Sequence, residues 1–187
     1  RKLLDNLRHV FFFVILMAII TSGAFLVLQY APVGYIYLIP FAWCPVIARV
    51  FYDSRTAIFV HIITVFIVSI AVSASYVFLF MHVLTGIVAV ISLRDMTQRA
   101  QLAKTAAFIL LAYSLLYTAV TVLTTGSITD LDYRLYFYFA INAVLVICSY
   151  GLIFLFERTF GLLSNITLVE LTNVNSNLML EFAEKAP

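Results

Sequence analysis

Two histidines set inside apolar segments, His61 and His82, are the side chains of this sequence best suited to chemistry. Facing imidazoles in a helical bundle are a usual way to hold haem or a metal ion, and an ionisable group at bilayer depth is a functional candidate because its burial is costly. Spacing argues against a shared ion. At 1.5 Å per residue, His61 is expected roughly 9 Å from the inner edge of its segment and His82 about 10 Å from the outer edge of the next. The pair should therefore lie on different levels, each imidazole hydrogen-bonded within a bundle. Arg49 and Asp53 stand four residues apart at the end of another apolar segment, where they can form an ion pair, with Arg55 just beyond. Such a pair serves as an interfacial anchor or as a gating or lipid-binding element. Pro40 and Pro45 interrupt one segment twice, as hinges or as static kinks whose freed carbonyls neighbours satisfy. Asn142 and Ser149 share a side of the last segment.

Several chemistries are disfavoured by what is missing. A retinal protein needs a lysine in its last span, and residues 135–156 contain none. Ser149-Tyr150-Gly151 is a poor match to the Gly-x-Ser-Gly element of a rhomboid-like protease. Ion-coupled transport usually places carboxylates at mid-membrane, and the apolar segments hold none there. No phosphate-binding glycine loop, paired carboxylates or metal-ligand cluster is present, so neither a catalytic residue nor a cofactor site is expected.

The elements that carry these residues are set by composition. The sequence is 64% hydrophobic and 11% charged, with a mean hydropathy of +1.09, against about 25% charged in soluble domains. Its charges cluster between apolar runs close to the roughly 20 residues that a helix needs to cross about 30 Å of hydrocarbon. An all-α polytopic transmembrane bundle of six spans follows: about residues 10–28, 35–51, 57–73, 76–93, 103–123 and 135–156. The alternation of a lipid-facing barrel strand is absent. The stretch from Ala57 to Leu93 is divided at Ser73-Ala74-Ser75 because one helix of that length would extend about 55 Å, more than tilt absorbs.

Basic residues mark the cytoplasmic side of short loops. Placing both termini there puts Arg1, Lys2, Arg8, Arg49, Arg55, Arg94, Arg99, Lys104, Arg158 and Lys185 inside and Arg134 alone outside. Tyr30, Tyr35, Tyr37, Tyr133, Tyr136 and Tyr138 then gather near the outer face as an aromatic belt, and Trp43 is read the same way. Gly86, Ala89 and Ser92, and Tyr113, Tyr117 and Thr121, are expected helix contacts, where small and hydroxyl residues allow close approach. Cys44 and Cys148 sit inside spans as apolar packers, with no disulfide framework implied. The charged first residues do not read as a signal peptide.

The end of the chain, Leu-Val-Glu-Leu-Thr-Asn-Val-Asn-Ser-Asn-Leu-Met-Leu-Glu-Phe-Ala-Glu-Lys-Ala-Pro, is polar and amphipathic. It resembles the segment that joins the last membrane helix to a cytoplasmic hydrolase in bacterial seven-transmembrane HD-domain phosphodiesterases of the PgpH type, which act on cyclic di-AMP. Three further stretches resemble that family: Tyr37 to Pro40 with Asp53 to Ala57, the basic loop from Arg94 to Lys104, and Glu157 to Gly161. Asn177 stands where relatives often have proline.

The resemblance implies a membrane domain over residues 1–161, comprising helices two to seven of the family's seven. A juxtamembrane linker over residues 162–187 would lead to an HD domain beyond Pro187. It implies further that the parent protein sits in the bacterial cytoplasmic membrane and cleaves cyclic di-AMP with two divalent ions, manganese or iron, held by that HD domain. This region would anchor and regulate the hydrolase as a sensor and transducer. Expected partners are the lipid bilayer and the protein's own extracellular and HD domains, with a homodimer left open and no nucleic acid polymer. Glu157, Arg158, Phe160, Glu170, Leu171, Asn173 and Leu178 are the candidate transduction residues. The competing reading is a small-molecule transporter or channel subunit whose tail is merely cytosolic.

Overall fold

The computed structural model describes residues 2–73, 75–93, 100–161, 167, 168 and 172. Six α-helices dominate: α1 (Lys2–Tyr30), α2 (Trp43–Phe51), α3 (Ser54–Ser69), α4 (Ser75–Ser92), α5 (Ala100–Thr125) and α6 (Tyr133–Phe160), with 3-10 turns at Val33–Leu38 and Ile128–Asp130. No strand occurs among the described residues. Helix is the form that satisfies backbone groups without water, and that demand overrides the weak intrinsic propensity of the many Phe, Val and Ile residues. Four segments are long and apolar enough to cross a bilayer: Leu7–Tyr30, Gly34–Phe51, Gln101–Thr125 and Tyr133–Phe160. The other two expected spans, Ser54–Ser69 and Tyr76–Ser92, are shorter and form a helical hairpin turning at residues 70–73.

Neighbouring helices in the chain pack on one another, and α6 closes the arrangement against α2 and the first 3-10 turn. The most enclosed element is α2, where Cys44, Val46, Ile47, Ala48 and Val50 have no exposed surface. Outward faces are apolar, as in Val10, Phe11, Val14, Phe66, Leu111, Leu115 and Phe154. Lipid contact explains this exterior without any further partner.

The segment expected as one kinked span over residues 35–51 is in fact two pieces. Val33–Leu38 is 3-10, the chain bends through Ile39 to Ala42, and only Trp43–Phe51 is α-helical. Pro40 lies in the bend. Pro45, by contrast, is the third residue of α2, inside the first turn, where a backbone N–H would have no intrahelical acceptor. It therefore interrupts nothing, and only one of the two prolines breaks the segment.

The Arg49 and Asp53 side chains also take separate roles instead of the expected pair. Asp53 is the N-cap of α3, accepting from Arg55 N at 3.2 Å and from the Thr56 hydroxyl, while Arg49 Nη1 donates to Tyr52 O at 3.1 Å. An i, i+4 pair presumes a continuous helix, and α2 stops at Phe51 with Tyr52 extended. The Thr56 hydroxyl, followed by backbone N–H groups, holds the Asp53 carboxyl below its ordinary range. A depressed folded value contributes stability above the unfolded pKa and loses it as pH falls through the folded one. We therefore expect Asp53→Ala to lower the thermal unfolding temperature at neutral pH, with Asp53→Asn retaining most of the cap. Melting curves down to acid pH should show wild type converging on Asp53→Asn only below the usual carboxylate range.

The sixth helix ends in a left-handed residue, Gly161, at φ 62° and ψ 27°. A side chain would be strained there, and glycine is the usual residue at such a C-terminal stop.

Candidate functional site in the bundle interior

The densest cluster of polar and aromatic side chains described in the interior is centred on His82. Its Nδ1 lies 2.7 Å from the Tyr113 hydroxyl on α5, and its ring sits among Phe78 (4.2 Å between centroids), Phe41 (4.5 Å), Tyr113 (5.3 Å) and Tyr37, which stacks at 5.7 Å and 15°. These rings come from α4, the Pro40 bend, α5 and the first 3-10 turn. Tyr113 in turn stacks on Phe139 of α6 at 5.2 Å and 11°. One imidazole is thus the meeting point of four elements.

His61 joins from α3. Its Nε2 lies 2.9 Å from the main-chain oxygen of His82; a carbonyl only accepts, so Nε2 carries the proton and donates. Helix α4 makes room for this ring by having no side chain at Gly86. A Cβ built there would lie 2.1 Å from His61 Nε2 and 2.2 Å from its Cδ2. Because Gly86 follows His82 by four residues, the two face the same side of α4, and the imidazole enters that notch to reach the carbonyl one turn earlier.

The expectation of separate levels for His61 and His82 fails for a geometric reason. It placed both in a slab of about 30 Å, counting from opposite faces. Helix α3 has 16 residues and α4 has 18, or about 24 and 27 Å, so the offset shrinks to within one turn. Proximity does not make a metal site, however. One nitrogen of each ring is engaged by a hydrogen bond, and the described residues hold no group of three or more potential ligands.

A second tie joins Asn142 of α6 to the Pro40 bend. Its Nδ2 donates to Tyr37 O at 3.1 Å and Ile39 O at 2.9 Å. In an unbroken helix those carbonyls would accept from residues 41 and 43. Here Phe41 N turns to Ile39 O, Trp43 N to Pro40 O, and the side-chain amide supplies what the proline bend removes. A few residues along α6, Leu145 O accepts from Trp43 Nε1 at 2.7 Å. Trp43 is therefore an internal tie between α2 and α6 and not a belt residue. Tyr37 is likewise interior, while Tyr30 and Tyr133, at 78% and 75% exposure, suit an interfacial belt.

Other expected contacts are found where small residues predicted them. Ser92 Oγ donates to Thr105 Oγ1 at 2.8 Å across α4 and α5, Ala89 is fully buried, and Asn142 and Ser149 are both enclosed on one side of α6. Cys44 is buried and bonded to Thr64 at 3.4 Å, and Cys148 is exposed. Tyr113 and Gly86 were legible only as packing positions; the signal for their larger role was the four-residue step from His82 to Gly86.

At the end of α6, Glu157 Oε1 accepts from the Thr167 hydroxyl at 2.7 Å. Arg158 is exposed, and Phe160 is partly buried against Phe156 and Phe12. Glu170, Leu171, Asn173 and Leu178 lie outside the described residues.

An apolar exterior, helices of crossing length, and polar groups tied to one another inside define a polytopic helical membrane protein. More particularly, the chain belongs to the family of 7TM receptors with an intracellular HD hydrolase, whose sequence model matches residues 1–164. No curated protein and no solved structure matches it.

Proposed function

We propose that this chain is the sensing and transducing membrane region of a cyclic di-AMP phosphodiesterase, anchoring a cytoplasmic HD hydrolase and relaying an extracellular event to it. Both termini are then cytoplasmic, in the bacterial inner membrane, and two manganese or iron ions belong to the hydrolase. The supporting observation is the junction at the end of α6. A helix of 28 residues runs from the Asp132 cap to Gly161, and Thr167 donates a hydrogen bond to Glu157 in the last turn of that helix. Displacement of α6 would therefore be felt at Thr167. Family membership over residues 1–164 and the resemblance of the tail to a hydrolase-joining segment point the same way.

The test is a flexible Gly-Ser insertion after Gly161 in the full-length protein. Basal hydrolysis of cyclic di-AMP should persist while its dependence on the extracellular domain disappears. Regulation that survives the insertion, with folding intact, would rule out relay through α6. Hydrolysis of a different cyclic dinucleotide in preference would correct the substrate while leaving the relay standing.

A further inference from the structure

We infer that the basic end of the bundle carries a binding site for the phosphate of an anionic phospholipid headgroup, formed by Arg8 of α1 and Arg158 of α6. The two arginines, with Thr159, Phe160 and Gly161, line an open pocket of about 310 Å³, within the size range of small-molecule sites. Guanidinium groups suit phosphate because their planar forks donate in pairs to its oxygens. Among the described residues no carboxylate lines the pocket, and the nearest one in sequence on α6, Glu157, bonds to Thr167. The carboxyl end of α6 contributes roughly half a negative charge, which two full positive charges outweigh.

What favours a lipid over a soluble anion is the surface directly below. Residues three or four positions apart share a helix face. Three residues after Arg8 stands Phe11, 57% exposed; three and four before Arg158 stand Leu155 and Phe154, 57% and 56% exposed. Each arginine is thus one turn outside a large apolar side chain on its own face, the arrangement that a headgroup above and acyl chains beneath would meet. Phe160, which lines the pocket, packs on Phe156 at 5.7 Å and on Phe12 at 5.7 Å. A lipid seated there would bridge the first helix and the end of the last.

The site can be tested on the intact protein in nanodiscs of phosphatidylcholine with a minority of phosphatidylglycerol, counting by native mass spectrometry the lipids that stay bound on extraction. Wild type should enrich phosphatidylglycerol. Arg8→Gln with Arg158→Gln should weaken its retention about 25-fold, at roughly a fivefold loss per arginine near a membrane surface. Arg8→Lys with Arg158→Lys should keep most of it, and Arg55→Gln should leave it unchanged. If the double variant does not fold, Arg158→Gln alone should show the fivefold loss. Equal retention in wild type and the Gln variants would overturn the site. Binding of inorganic phosphate without phosphatidylglycerol enrichment would overturn the lipid assignment and identify a soluble anion.

Discussion

Gly86→Ala is expected to destabilise the bundle by about 2–4 kcal/mol, combining overpacking of an enclosed position with loss of an interhelical hydrogen bond. The new Cβ would fall 2.1 Å from His61 Nε2, and the obstacle is a rigid ring and not the end of a flexible chain. The imidazole has to leave the notch, surrendering the His82 carbonyl and disturbing the four rings around His82. Thermal unfolding in detergent would show the loss directly. The informative companion is His61→Ala with Gly86→Ala, which removes the clash and should recover much of the stability relative to Gly86→Ala alone. If Gly86→Ala melts like wild type, α3 and α4 do not approach as described.

Asn142→Leu should cost about 1–3 kcal/mol, the penalty of leaving a buried carbonyl without a donor. The Tyr37 oxygen bears most of it, since Ile39 O also accepts from Phe41 N. Leucine keeps the volume and the apolar character, so the effect reports the hydrogen bonds and not a cavity. Asn142→Asp is more diagnostic. Burial against two carbonyl oxygens favours the neutral acid, whose single O–H can donate to one of them where the amide donates to both, so it should cost less than leucine. Equal stability of wild type and Asn142→Leu would mean that the Pro40 bend is held by packing alone.

Much of the architecture was legible because lipid leaves the backbone few choices. Apolar runs separated by charges placed α3 to α6 within about four residues at each end, whereas α1 begins well before and α2 well after its expected start, and the Ala57 to Leu93 stretch divides close to its serines. What escaped had a common origin, the assumption of regular helices in a uniform slab. That assumption hid the 3-10 turn and bend before α2, paired Arg49 with a residue beyond the end of its helix, sent Trp43 to the interface, and separated two histidines whose short helices bring them together. Local rules read Pro40 correctly as a break. The residue that satisfies the break, Asn142, lies 102 positions away in sequence, and no local pattern announces it.

The left-handed Gly161 has a mechanical consequence. An α-helix resists twisting because each turn is bonded to the next, and that ladder stops where Gly161 reverses its dihedral angles. A turn of α6 about its own axis would reach Thr167 only through the single Glu157 hydrogen bond, whereas a push or pull along the axis would also be carried by the covalent chain. Under the proposed relay, movement leaving this bundle is better suited to piston travel than to torque.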